Sequence, residues 1–285
     1  MDAQNAQNSV EAPSAGEPVI DVSRIKKSFG GNASLAVLED VTFSARKGEF
    51  LSVVGPSGCG KSTLLLSLCG LLTPDSGSVS FLGKRISGGT PPGIAIVFQD
   101  YSRSLLPWRT VAANVEFGMR RIGSHSRREK RSRAHDLLES VGLHGFENHY
   151  PWQLSGGMQQ RVAIARALAC QSELLLLDEP MAAVDAQTRA DMQDLLLQIA
   201  QKFGQTCLLV THDVDEAVYM ADRVVVLSNR PTRVVEILDV DLPQPRDQVE
   251  TKEDKRYLEI RHRVFNRIRA MRRAPAGSQP GADAA

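Results

Sequence analysis

The stretch Phe50-Leu-Ser-Val-Val-Gly55-Pro56-Ser57-Gly58-Cys59-Gly60-Lys61-Ser62-Thr63 decides the fold. Its first five residues form a dense, mostly apolar run of the kind that suits a strand covered on both faces. The next nine fit the spacing G-x-x-x-x-G-K-[ST], and a helix-like apolar run, Ser62–Leu72, follows. In a strand–loop–helix frame, glycines let successive backbone N–H groups turn toward one point at a helix N-terminus, where the dipole favours an anion. The expected ligand is a nucleotide: Lys61 reaches its β- and γ-phosphates, the Ser62 hydroxyl ligates Mg2+, and Thr63 hydrogen-bonds a phosphate. Gly55, Pro56, Ser57, Gly58 and Gly60 complete the cradle. Cys59 is read as a small steric filler of the loop.

Outward from this loop, further short runs read as strands. Ile94–Phe98, Leu174–Leu177, Cys207–Val210 and Val224–Leu227 are dense and apolar. Val19–Ile25, Val41–Phe43 and Ser78–Leu82 are β-rich pieces near turn signals. Met158–Ala169 has a helical pattern, and alternating strands and helices indicate an α/β layer fold. The stretch about 100–150 carries charged helical segments and reads as a helical insertion. Leu174-Leu-Leu-Leu-Asp178-Glu179-Pro180 is an apolar strand ending in two acids. Asp178 at the tip is suited to Mg2+, and Glu179 beside it to taking a proton from an attacking water.

Leu154-Ser155-Gly156-Gly157-Met158-Gln159-Gln160-Arg161 closely resembles the LSGGQ signature of ATP-binding-cassette (ABC) ATPases, with Met158 where glutamine is usual. Physically it is a second anion-binding turn, a serine hydroxyl and glycine N–H groups opening a helix. The order of the remaining elements is similar to that family over about residues 19–240. Gln99 matches the Q-loop glutamine, which implies contact with Mg2+ or water. Ala182-Ala183-Val184-Asp185 lies at the D-loop, and His212 resembles the switch histidine that contacts the γ-phosphate. Phe29 takes the place of an aromatic stacked on adenine.

The resemblance implies a P-loop NTPase of the ABC-cassette type: a mixed sheet with flanking helices, an N-terminal antiparallel β part and a helical subdomain at about 100–165. It implies ATP and Mg2+, with Glu179, His212, Lys61 and Gln99 catalytic. It also implies a homodimer arranged head to tail, in which Ser155, Gly156, Gly157 and Asp185 of one copy act on the nucleotide held by the other.

Lys and Arg (34) nearly balance Asp and Glu (33), so charge gives no support to a nucleic-acid partner. The alternatives are the ATPase subunit of another kind of ABC transporter and, from another class, a soluble ABC ATPase working on nucleic acid. The four cysteines show no metal or disulfide spacing. No run of about 20 apolar residues appears, and the first 18 residues are not a secretory signal. A transporter built on this chain therefore needs separate permease subunits, with the chain at the cytoplasmic face of the bacterial inner membrane. Asp100-Tyr-Ser-Arg-Ser-Leu-Leu-Pro-Trp108-Arg109-Thr110-Val111, with T-V-x-x-N-V following, and Arg230–Ile237 resemble the nitrate, sulfonate and taurine importer branch. That branch implies a solute-binding protein as a further partner. Residues 1–18 and 274–285 read as disordered tails around an ATPase domain at 19–250. Residues 252–273 read as one basic helix, with Tyr257, Ile260, Val264, Ile268 and Met271 on its inner face.

Overall fold

A computed structural model of the chain describes residues 18–30, 34–100, 104–121, 126–182 and 184–273. Of the expected tails 1–18 and 274–285, all but Pro18 lies outside the described residues, as does Ala183 of the D-loop. Two sheets organise the rest. Strands β1 (Pro18–Phe29), β2 (Leu35–Arg46), β4 (Ser76–Phe81) and β5 (Lys84–Arg85) form an antiparallel sheet in the order β2-β1-β4-β5. The second sheet has the order β10-β9-β3-β8-β7-β6. Here β3 (Phe50–Val54), β6 (Ile94–Val97), β7 (Leu174–Asp178), β8 (Thr206–Thr211) and β9 (Arg223–Leu227) run parallel, and β10 (Val234–Asp239) is antiparallel at the edge.

The dense apolar runs form these parallel strands because both faces of that sheet are covered. Alternation assigns each side chain to a face. Leu51 and Val53 join Leu174, Leu176, Leu208, Val210, Val225 and Leu227 in a core closed by the antiparallel sheet and by α1 (Lys61–Leu68). Phe50 and Val54 join Leu175, Leu177, Leu209, Val224 and Val226 in a second core on the opposite face. Helices close that face: α2 (Val111–Gly118), α3 (Arg127–Ser140), α4 (Gly156–Ala169), α5 (Ala186–Phe203), α6 (Val214–Met220) and the C-terminal α8 (Lys255–Arg273). The insertion is thus helical, as its sequence predicts. The basic helix α3 opens with a capping box, Ser126 N–H to Glu129 Oε2 at 2.7 Å and Glu129 N–H to Ser126 Oγ at 3.2 Å.

Several boundaries differ from the sequence reading. Helix α1 stops at Leu68 rather than Leu72. Gly70 adopts φ +75, a side chain there would meet the Gly89 carbonyl at 2.3 Å, and the Leu71 N–H turns back to the Leu66 carbonyl at 3.0 Å. This is a glycine-terminated helix end. Strand β6 stops at Val97, and Phe98 is exposed. The first three β-rich pieces are parts of longer strands, with Pro18 already inside β1. The basic segment is two helices, α7 (Glu250–Glu253) and α8, separated at Asp254, whose backbone is extended and whose carboxylate accepts the Arg256 N–H at 2.7 Å. Its predicted inner face holds: Tyr257, Ile260, Val264 and Ile268 are buried, and Met271 packs partly against them.

Candidate functional site

Parallel register brings four sequence motifs to one edge. Val54 pairs with Thr211, Asp178 with Val210, and Val97 with Leu177. The phosphate loop, Gln99, Asp178-Glu179 and His212 therefore all emerge where the strands end at their carboxyl side. In open parallel sheets this edge is where ligands bind.

In the loop, Lys61 is almost fully buried, and its ammonium donates to the carbonyls of Gly55 at 3.0 Å and Pro56 at 3.2 Å. Glu179 Oε1 lies 3.8 Å from that ammonium, and Glu179 Oε2 lies 3.0 Å from His212 Nδ1. Lys61, Glu179 and His212 thus form a continuous polar line. Glu179 has φ +43, a left-handed conformation rare for a non-glycine residue, and its N–H donates to the Val210 carbonyl at 2.8 Å. Burial, then the negative charge of Glu179, push the Asp178 carboxyl above its usual range, with Lys61 opposing. Cys59 is buried, and a side-chain carbon at Gly55 would meet its sulfur at 3.1 Å, in keeping with a steric role. Burial also raises its thiol pKa. Gln99 is exposed beyond β6. Phe29 is exposed at the end of β1, its ring centroid 5.7 Å from Lys27 Nζ.

The signature forms a separate cluster. Ser155 caps α4, its Oγ accepting from the Met158 N–H at 3.3 Å, and Ser155 and Gly156 are exposed. Asp185 caps α5 and accepts from the Thr188 N–H at 3.0 Å and its hydroxyl at 2.7 Å. A side-chain carbon at Gly157 would meet the same Thr188 at 3.0 Å. The signature turn and Asp185 are therefore neighbours, and among the described residues the bonds of Ser155 and Asp185 run to their own helices. One chain thus carries two glycine-containing helix starts, at Lys61 and at Gly156.

Other residues support the site from outside the motifs that define it. Thr211 donates to the buried Glu216 and accepts the Asp213 N–H at 3.0 Å, fixing the turn that presents His212. Burial raises the Glu216 pKa to about 7. Asn114, buried in α2, accepts the Leu106 N–H at 2.8 Å and donates to the carbonyls of Leu106, Arg109 and Thr110. The Leu105–Trp108 bend is thus clasped, with Leu105 buried and Trp108 72 % exposed. Arg166 of α4 donates to the Ser104 carbonyl at 2.6 Å and to its hydroxyl at 2.8 Å, joining the signature helix to the segment beyond Gln99. Asn114 was visible in sequence as part of T-V-x-x-N-V. The other three depend on contacts across 5 to 62 positions, which spacing does not reveal.

Residues 38–182 match the family model described as ABC transporter. The chain belongs to the ABC transporter ATP-binding family. An uncharacterized ABC transporter ATP-binding protein of Methanocaldococcus jannaschii is 49 % identical over 240 residues, 84 % of this chain and 86 % of that one. The taurine import ATP-binding protein TauB of Escherichia coli is 43 % identical over 262 residues, covering 90 % of this chain and 99 % of TauB. The nitrate import ATP-binding protein NrtC of Synechococcus elongatus is 44 % identical over 246 residues, 86 % of this chain but 37 % of that longer protein. Among solved structures, a dimeric ATP-binding cassette in a post-hydrolysis state with ADP and Pi aligns with a TM-score of 0.69 and 33 % identity, over 78 % of this chain and 98 % of that one. The cbiO1 protein of Clostridium perfringens, part of the cbiONQ transporter complex, aligns with a TM-score of 0.72 and 26 % identity over 90 % of this chain and 99 % of its own. This ABC ATPase has the P-loop cassette fold expected from its sequence.

Proposed function

We propose that this chain powers an importer of small anions of the nitrate, aliphatic sulfonate or taurine kind. The observation that carries the reading is the Lys61–Glu179–His212 line at the edge of the parallel sheet, in a chain that covers 99 % of a taurine import subunit. Residues 19–250 serve as the ATPase unit, 100–165 as its helical part and 251–273 as a basic C-terminal segment. No helix among the described residues is long and apolar enough to cross a membrane, and in this reading permease subunits supply the pore. Trp108 and the bend clasped by Asn114 form the surface that faces it, an exposed aromatic on a rigid turn being a good interface anchor. A solute-binding protein delivers the anion, the ATPase works at the cytoplasmic face, and no nucleic acid takes part.

Phe29 stacks on the base, residues 55–63 hold the phosphates, and Lys61 exchanges its loop carbonyls for phosphate oxygens. The oxygen donors Ser62, Gln99 and Asp178 suit a hard divalent cation, which the crowded Asp178–Glu179 pair also favours; Mg2+ there supplies charge neutralisation at the phosphates. Glu179 accepts the proton of the attacking water, held in place by His212, which also contacts the γ-phosphate. Ser155, Gly156, Gly157 and Asp185 of a second copy close over the γ-phosphate. Closure draws the two helical parts together and hydrolysis releases them, an ordering by γ-phosphate contacts that moves the permease.

The test is ATP hydrolysis by the chain reconstituted with its permease and binding protein, measured against a panel of small anions. One anion should stimulate hydrolysis, and Glu179→Gln should still bind ATP while losing at least ~100-fold in turnover. A Glu179→Gln variant with near-normal turnover removes the proton-acceptor role, and hydrolysis indifferent to every anion and to the permease removes the importer.

A further inference from the structure

The phosphate loop is braced from outside by the turn between β9 and β10. Arg230 Nη2 donates to the Gly58 carbonyl at 2.5 Å, and the Thr232 hydroxyl donates to the Cys59 carbonyl in a short bond. Thr232 is fully buried, and its own backbone is zipped to β2: its N–H donates to the Val37 carbonyl and its carbonyl accepts the Glu39 N–H, both at 2.8 Å. The turn is rigid. Ser228 Oγ donates to the Asn229 and Pro231 carbonyls and accepts the Arg233 N–H at 2.8 Å, while Asn229 Nδ2 donates to the Met271 carbonyl at the end of α8.

Peptide geometry gives these bonds a consequence for the ligand. In a planar trans peptide the C=O and N–H point in opposite directions. Holding the Cys59 carbonyl outward therefore turns the Gly60 N–H inward, toward the anion. Gly60 has φ +118, a conformation that only glycine adopts without strain. The freedom that lets the loop form also lets this peptide flip, and a flipped peptide would aim a carbonyl oxygen at a phosphate. No side chain could lock this position instead, since a side-chain carbon at Gly60 would meet Val37 Cγ1 at 2.8 Å and Thr232 Oγ1 at 3.4 Å.

We propose that Thr232 and Arg230 are positioning residues of the phosphate loop, which fix the Gly58 and Cys59 carbonyls outside so that the Gly60 N–H faces the nucleotide. The proposal rests on the reading of residues 55–63 as the phosphate cradle. The turn is itself anchored by the end of α8, so the C-terminal helix supports the nucleotide site without touching it.

The experiment compares Thr232→Val, which removes the hydroxyl donor at almost constant volume, with Thr232→Ser, which keeps it. Binding of a fluorescent ATP analogue to the full chain and the steady-state KM and kcat for ATP are measured well below the unfolding midpoint. Thr232→Val should weaken nucleotide binding about 10-fold, mostly in KM, and Thr232→Ser should stay within ~2-fold of the wild type. Arg230→Met, at an exposed side chain, should give a smaller loss of about 3-fold, and carries the test if Thr232→Val does not fold. Wild-type affinity in Thr232→Val, or equal losses in the valine and serine variants, overturns the proposal alone. A wild-type chain that binds no ATP overturns the cradle reading and the proposal together.

Discussion

At the scale of single residues, the nucleotide edge holds more acid than its positive charge balances. Glu179, Asp178, Asp213 and Glu216 gather around Lys61, His212 and Arg189, which lies 3.9 Å from Asp213. Glu216 is the most deeply buried of the four acids, and desolvation lifts its pKa from 4.5 to about 7; Asp213 and Glu179 push the same way, while the Thr211 bond and Arg189 oppose them. The sign of the stability effect follows. Between pH 4.5 and 7 the folded chain holds a proton on Glu216 that the unfolded chain has released, so this group costs stability as pH rises through that window. Glu216→Gln keeps an acceptor for the Thr211 hydroxyl and removes the titration. Relative to the wild type, the variant should gain on the order of 2–3 kcal/mol between pH 4.5 and pH 8, read from urea unfolding at both ends. A wild-type-to-variant difference that stays constant across this range would show that folding leaves the Glu216 pKa unshifted.

At the scale of elements, the clasp at Asn114 shows how one side chain substitutes for secondary structure. The bend 105–110 lacks a ladder of its own, and four hydrogen bonds from Asn114 close it against α2. Asn114→Ala leaves the Leu106 N–H and the Arg109 carbonyl to find other partners, while the Leu106 and Thr110 carbonyls keep the backbone N–H groups of Arg109 and residue 114; the cost is roughly 2–4 kcal/mol, and Asn114→Asp should cost more because it turns a carboxylate toward those carbonyls. Thermal unfolding and proteolysis at the Trp108 bend read both effects; an aspartate variant as stable as the wild type would mean that the amide donors carry no weight. The same element separates what sequence reveals from what it hides. Buried strands such as Leu174–Asp178 and the loop 55–63 are legible because their local pattern and chemistry are inseparable. The pattern T-V-x-x-N-V marks Asn114 but not its partners. Edge strand β10 escapes notice because it is only half covered, and Thr232 because its purpose lies in a loop 173 positions away. Helix ends at Leu68 and Asp254 are set by one glycine and one extended residue, while the apolar pattern runs on past the first and the basic pattern past the second.

At the scale of the whole molecule, the two anion-facing turns belong to different elements, one ahead of α1 and one ahead of α4, and each is made of backbone N–H groups at a helix start. In the proposed arrangement the first holds the chain's own nucleotide, while Ser155 and Gly156 are open to solvent. Pairing two chains head to tail, as proposed, would satisfy both surfaces at once and make ATP itself the adhesive. Ser155→Asp separates this from other ways of pairing. Aspartate is as good a helix cap as serine, so α4 keeps its start, yet the carboxylate would face the γ-phosphate of the partner's nucleotide across the interface. In a Glu179→Gln background, which retains ATP unhydrolysed, light scattering should show the chain doubling from 31.1 kDa when Mg-ATP is added. Adding Ser155→Asp should return it to a monomer that still binds ATP, because the phosphate loop of the same chain is untouched. Dimers that persist in the double variant would place the second copy somewhere other than over the signature, and loss of ATP binding by the monomer would mean that the two turns serve one nucleotide within a single chain.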